Sequence, residues 1–220
     1  MIRYSPADRY AVLGTSGTGK TVFMTVLACL LVPPTSTDWQ CWWANTKDDP
    51  ADMKRLAEWG FVAPGKGPRQ VYNMRGDTAY EQAQDLANRA LETRGVLLVY
   101  DEYAHVVRNT IDAGPGIRDV HKTGRGIDVG MIGGVQEPAY TPRQLFSQAI
   151  HRAIFGLEHL PDIKVARELN HKYAQGWPEE TDRTVPDVHG FWLRSNPQAG
   201  DDNSWHYWPH VGRWRDHVAA

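Results

Sequence analysis

Apolar residues in this chain fall into short unbroken runs separated by segments of helical spacing, and that alternation predicts its elements. Tyr10-Ala11-Val12-Leu13 reads as the end of a buried strand, and Val22 to Leu31 as a buried helix stopped by Pro33-Pro34. Trp39 to Ala44 reads as a second strand and Gln70 to Met74 as a third. Between them Asp49-Pro50 opens a short helix in which Met53, Leu56 and Ala57 share a face and Gly60 closes the end. Asp77 or Thr78 caps a long helix to about Thr93, with Ala79, Ala83, Leu86, Ala87 and Ala90 at helical spacing. Gly95 to Tyr100 and Ile127 to Val135 are continuous apolar runs of strand length, as parallel strands covered on both faces require. Thr141-Pro142 begins another short helix, Ile150 to Gly156 a further strand, and Asp162 to Leu169 a helix.

Together these elements predict an α/β fold over residues 1–170, with three layers built on a mostly parallel sheet. From 171 to 220 the pattern changes to a Trp-rich extension holding five of the nine tryptophans, expected to pack on the core. Within it, Val188 to Arg194 and Ser204 to Trp208 are expected to pair as a small antiparallel hairpin.

Between the first strand and the first helix lies Gly14-Thr15-Ser16-Gly17-Thr18-Gly19-Lys20-Thr21, which fills the pattern G-x-x-x-x-G-K-[ST]. Strand, glycine-rich loop and helix is the order this phosphate-binding motif needs. Its glycines permit backbone angles and close approaches that a Cβ would forbid, so that N–H groups can wrap the phosphates of ATP. Lys20 is expected to reach the β- and γ-phosphates, and the Thr21 hydroxyl to hold Mg²⁺.

A second chemical signal stands at the end of the fourth apolar run, where Asp101-Glu102 places two adjacent carboxylates at a strand tip. Asp101 is expected to contact Mg²⁺, and Glu102 to orient and polarise an attacking water. That pair distinguishes hydrolysis of the nucleotide from simple phosphate transfer. At the end of the fifth run, Gln136 offers an amide able to donate to a γ-phosphate and accept from water.

With these residues in view, the chain resembles the HerA/FtsK branch of P-loop ATPases, over about residues 8 to 170. The discriminating piece runs from His121 to Pro138: an arginine, a small-residue turn, an apolar strand and a terminal glutamine. Phe146 to Glu158 and Pro161 to Lys164 resemble the strand and helix that close that branch's core. The resemblance implies a RecA/ASCE-like P-loop NTPase fold, ATP hydrolysis, and a homo-oligomeric ring that moves double-stranded DNA by contacts to its backbone. It implies catalytic roles for Glu102 and Gln136, and for Arg125 as a finger reaching a neighbouring subunit's ATP, with Arg118, Arg143 and Arg152 as rivals. Among the branch's members, a bare core with a short tail is most similar to the genome-packaging ATPases of viruses with internal membranes. Capsid-vertex or membrane proteins are then expected partners. Morphogenesis or conjugation ATPases of the same branch, and a small-molecule kinase, are the alternatives. Arg108 to Lys122, with Gly114-Pro115-Gly116, and the loop at Gly65-Lys66-Gly67 are candidate DNA-gripping segments.

Composition narrows this picture without redirecting it. The 220 residues are 41% hydrophobic, enough for one substantial core, and the formal charge of −2 leaves any polyanion to a local patch. Cys29 and Cys41 sit in apolar segments as small core residues, which indicates a reducing setting. The longest apolar run, Val22 to Val32, is too short to span a bilayer, so the chain reads as soluble and intracellular, and the resemblance implies a host cytoplasm or a virion. Asn45-Thr46-Lys47-Asp48 holds the residue types of a guanine-specificity motif in the wrong order. His206 and His210, split by Pro209, make a poor zinc pair. Trp42-Trp43 reads as core, while Trp205 and Trp208 beside Arg213 and Arg215 could meet DNA or a partner.

Overall fold

The computed structural model describes residues 4–47, 49–108, 111–157, 159–174, 190–195 and 204–219. Strands β1 (Arg9–Leu13), β2 (Gln40–Asn45), β3 (Arg69–Asn73), β4 (Val96–Tyr100), β5 (Val129–Val135), β6 (His151–Ile154), β7 (Phe191–Ser195) and β8 (Trp205–Trp208) form one eight-stranded sheet in the order β3-β2-β4-β5-β1-β6-β7-β8. β1 to β6 run parallel, and β7 and β8 add antiparallel beyond β6. The expected hairpin therefore exists, and it continues the main sheet through β6 and β7. Residues 175–189, including Trp177 and the first two positions of the expected Val188 to Arg194 strand, and residues 196–203 lie outside the described residues.

Seven α-helices lie among the described residues: α1 (Lys20–Leu31), α2 (Pro50–Glu58), α3 (Ala79–Thr93), α4 (Pro115–Thr123), α5 (Arg143–Gln148), α6 (Leu160–Ala174) and α7 (Val211–Ala219). Period-two alternation along the strands divides the core into two. Ala11, Leu13, Trp42, Leu98 and Tyr100 face α3, α4 and α5, where Ala83, Leu86, Ile117, Val120 and Phe146 meet them. Tyr10, Val12, Trp43, Leu97 and Val99 face the other way, onto Phe23 and Leu27 of α1, Leu56 of α2 and Trp214 of α7. Each fully buried Leu, Val or Phe contributes roughly 1.5–3 kcal/mol. Trp42 and Trp43 thus serve opposite layers, both 4% exposed or less. Cys29 and Cys41 are free thiols. No helix of the described residues is long and apolar enough to cross a membrane.

Two segments depart from expectation. α7 was legible only as a tail, yet Trp214 is fully buried against Phe23 and Phe191. Within Arg108 to Lys122 the structure forms α4, and its glycines serve packing. A Cβ on Gly116 would stand 2.6 Å from the Gln84 carbonyl of α3, and one on Gly114, at φ +88°, 2.5 Å from the Tyr80 hydroxyl. Gln84 completes the joint, with Nε2 donating to the Ala113 carbonyl at 2.9 Å and Oε1 accepting from Ile117 N–H at 3.1 Å. Here glycine allows two helices to touch, and the helix is clamped rather than loose.

Candidate nucleotide-binding site

β1 hands its chain to the phosphate loop at Gly14, whose N–H donates to the Val135 carbonyl at the end of β5 at 3.0 Å. Thr15 N–H donates to the Gly156 carbonyl beyond β6 at 2.9 Å. The loop is thus tied to the strands on both sides of β1. Gly17 at φ +79° and Gly19 at φ +98° take left-handed angles that open the turn. Gly19 caps α1 with no side-chain hydrogen bond, and the first turn carries no acid. The N–H groups and positive dipole end of α1 are left for an anion. Lys20 curls back, its ammonium donating to the Thr15 carbonyl at 2.7 Å. Burial lowers its pKa to about 8, against the charge of Glu102, which raises it.

A cleft of about 380 Å³ opens above this loop. Ser16, Gly17, Gly19, Lys20, Thr21 and Val22 form one wall, Gln136 reaches in from β5, and Lys47, Asp49, Asp52 and Arg55 close the far side. Asp49 caps α2 by accepting from Ala51 N–H at 2.8 Å, which fixes that far wall.

β5 separates β4 from β1, so the acids at the β4 tip face the loop across one intervening strand. Gly134 of β5 makes the approach possible, since a Cβ there would lie 2.5 Å from the Asp101 carbonyl. Asp101 is 2% exposed and Glu102 3%. Asp101 Oδ1 accepts from the Thr46 N–H at 3.3 Å and hydroxyl at 3.1 Å, while Oδ2 lies 4.0 Å from the Lys47 ammonium. Its pKa is nonetheless raised, because burial outweighs these partners. Glu102 Oε1 accepts from Gln136 N–H at 3.3 Å, and Oε2 is buried with no partner. Desolvation lifts this carboxyl to about 7, in spite of the Gln136 hydrogen bond and the nearby Lys47 and Lys20.

Mg²⁺ fits this donor set. A threonine hydroxyl and one free carboxylate oxygen are hard oxygen ligands, and such ions keep most of their remaining positions for phosphate and water. Among the described residues no group of three or more His, Cys, Asp or Glu is placed to hold a metal ion by itself.

Lys20, Thr21, Asp101, Glu102 and Gln136 therefore share one end of the sheet, and Arg125 does not join them. It sits in the turn Gly124–Ile127 before β5, with Nε 3.3 Å from Asp8 Oδ1 at the opposite end of β1. Asp8 Oδ2 also meets His151 Nε2 at 3.1 Å, so this arginine closes a buried polar network there. Of its rivals, Arg152 is buried, its Nη2 donating to the Phe146 carbonyl at 2.7 Å, and Arg118 pairs with Asp112 at 3.4 Å. Arg143 is exposed at the start of α5, beyond the same end of β5 as Gln136. Thr46 and Lys47 were missed by the sequence reading. Their signal was a polar run ending the strand beside the Asp101 strand, but adjacency of β2 and β4 is not visible in sequence.

The sheet order and the loop define the class: a P-loop NTPase fold in which an extra strand separates the phosphate-loop strand from the acidic one. No protein-family model matches the chain, and no curated protein sequence does. Solved structures do. The fold is similar to that of B204, the DNA-packaging ATPase from Sulfolobus turreted icosahedral virus, with a TM-score of 0.68 and 14% identity over 92% of this chain and 97% of that one. It is similar to the genome packaging NTPase B204 of Sulfolobus turreted icosahedral virus 2 in complex with ATP-γS, at TM-score 0.63 and 12% identity over 94% and 98%. EssC (ATPases 2 and 3) from Geobacillus thermodenitrificans matches at TM-score 0.61 and 11% identity, over 91% of this chain and 39% of that one. At these identities the likeness concerns the fold, and that fold is the one the HerA/FtsK resemblance implied.

Proposed function

We propose that this chain is an ATP-hydrolysing motor that moves double-stranded DNA and packages a viral genome into a preformed capsid. The observation that carries the hydrolytic part is Glu102, a buried carboxylate fixed at one oxygen by Gln136 and unpartnered at the other, opposite the phosphate loop.

In this reading ATP lays its phosphates on the N–H groups of Gly17 to Thr21, and Lys20 leaves the Thr15 carbonyl for the β- and γ-phosphates. Thr21 and Asp101 would hold Mg²⁺, and the ion would supply neutralising charge at the phosphate oxygens. Glu102 Oε2 accepts a proton from water as the water oxygen bonds to the γ-phosphorus, and the bond from that phosphorus to the β–γ bridging oxygen breaks. ADP and phosphate leave, and the proton returns from Glu102 to solvent. The Gln136 amide orients the water against the γ-phosphate.

In a ring, a neighbouring subunit would bring a further cation to the γ-phosphate. Arg125 can serve only a neighbouring subunit's site, because its own lies at the far end of the sheet; Arg143 is the exposed alternative. The DNA part is supported by fold likeness to a DNA-packaging ATPase and by exposed cations such as Lys66 and Arg108. With Gly114 and Gly116 occupied in helix packing, the gripping segment shortens to the stretch before Pro115.

Phosphate release measured with and without double-stranded DNA tests the proposal. Turnover stimulated by DNA of any sequence, and weakened by salt, supports a motor gripping the backbone. Strict dependence on a nucleoside or sugar acceptor would make the chain a kinase instead.

A further inference from the structure

Lys47 is a cation of this site that the motif residues do not account for. It follows Thr46 just beyond the end of β2, where Ala44 is registered against Tyr100, so that this chain segment and Asp101-Glu102 leave the sheet side by side. Its side chain is 24% exposed and lines the cleft across from Lys20. An ammonium carries three donors, yet Nζ makes no hydrogen bond among the described residues, and its one ion-pair partner, Asp101 Oδ2, stands 4.0 Å away. Lys20, by contrast, donates to the Thr15 carbonyl at 2.7 Å.

Asp101 is not built around Lys47. Thr46 holds Oδ1 with both its N–H and its hydroxyl, so the carboxylate stays in place whether or not the lysine does. Lys47 is therefore a loosely held cation aimed into an anion cleft, two residues after a strand that fixes its root. Lys20 and Lys47 stand nearest the Asp101 and Glu102 carboxylates, while Asp49, Asp52 and Arg55 line the far wall. The γ-phosphate brings additional negative charge between the lysines, and a divalent ion at Asp101 would repel Lys47 toward it.

The geometry points to Lys47 as a second phosphate-binding lysine that engages the γ-phosphate and so makes the site distinguish ATP from ADP. This rests on the reading of the cleft as an ATP site. Lys20 grips β and γ together from the loop side, whereas Lys47 approaches from the β2 side and answers to the terminal phosphate.

The test uses the full chain with fluorescent N-methylanthraniloyl ATP and ADP, titrated in EDTA so that no metal enters the comparison. Wild type is expected to bind the ATP analogue more tightly than the ADP analogue. Lys47→Ala is expected to weaken the ATP analogue by about tenfold or more, one charge-assisted hydrogen bond, while the ADP analogue changes by less than about twofold. Lys47→Arg should restore most of the difference. Equal loss for both analogues, or no loss for either, overturns the assignment. Thermal unfolding of Lys47→Ala is compared with wild type, and a destabilised variant with equal losses for both analogues counts against the proposal. If wild type binds neither analogue, the ATP-site reading itself falls, and with it this one; a wild type that binds both and a variant that still discriminates removes Lys47 alone.

Discussion

The Gln136 N–H donates to Glu102 Oε1 at 3.3 Å across the neighbouring strands β5 and β4, while Glu102 Oε2 stays buried and unpartnered. One oxygen is fixed and the other is left to take a proton. Glu102→Gln preserves shape and the accepting oxygen but removes the base. It is expected to bind ATP with little change in Kd and to hydrolyse it about 10²–10⁴-fold more slowly. Single-turnover phosphate release decides the matter, and turnover within tenfold of wild type would strip Glu102 of this role.

The same burial makes Glu102 costly for stability. Its pKa rises from an ordinary 4.5 to about 7 in the folded chain. Between those values the folded protein holds a proton that the unfolded chain has released, so this group's contribution falls as pH rises through that window. Glu102→Gln, which never ionises, should melt at the same temperature as wild type near pH 4 and higher at pH 8. The gain is on the order of 2–3 kcal/mol. A difference that does not grow with pH would mean that Glu102 is better solvated than its surroundings indicate.

Much of this architecture was legible in the sequence because β1, β4 and β5 carry continuous apolar runs, and the phosphate loop and Asp101-Glu102 stand at the ends of the first two. Gln136 ends its own apolar run, and in the sheet β5 lies beside β4. What could not be read was set by tertiary contact. Lys47 joins the site only because β2 lies against β4, and Gly114 and Gly116 look like a loose loop until α3 presses against them. Trp214 and α7 carry too little periodicity to reveal a core residue, and are fixed by Phe23 and Phe191.

Behind Glu102 the chain is held by Tyr103, whose hydroxyl meets His121 Nε2 of α4 at 2.8 Å with both residues buried. Desolvation drops the His121 pKa from 6.5 to about 3. A depressed histidine stabilises the fold above pH 6.5 and withdraws that contribution as pH falls toward 3. Between pH 7 and pH 5 this loss runs against the gain from Glu102, so the test is the difference between variants: His121→Gln should gain stability relative to wild type over that window. Tyr103→Phe, which leaves a buried ring nitrogen without its partner, should cost about 1–3 kcal/mol at pH 7. Parallel pH slopes for wild type and His121→Gln would show that other groups set the acid limb.

The assignment of α4 as a clamped helix makes its own forecast, because Gly116 and Gly126 belong to one run of chain and differ in what a methyl would meet. At Gly116 the nearest atom is the Gln84 carbonyl at 2.6 Å, part of a helix backbone that cannot yield locally, with Asn88 Oδ1 at 2.9 Å. At Gly126 nothing lies within 4 Å. Gly116→Ala should thus push α4 from α3 and cost about 1–3 kcal/mol, seen as a lower urea midpoint at unchanged slope. Gly126→Ala should stay within about 0.5 kcal/mol of wild type. Were 114–116 a mobile grip on DNA, Gly116→Ala would be as silent in urea as Gly126→Ala and would change only DNA-stimulated turnover. A large loss of stability at Gly116 alone places it in the scaffold and leaves the gripping to residues before Gly114 and to the loop at Gly65-Lys66-Gly67.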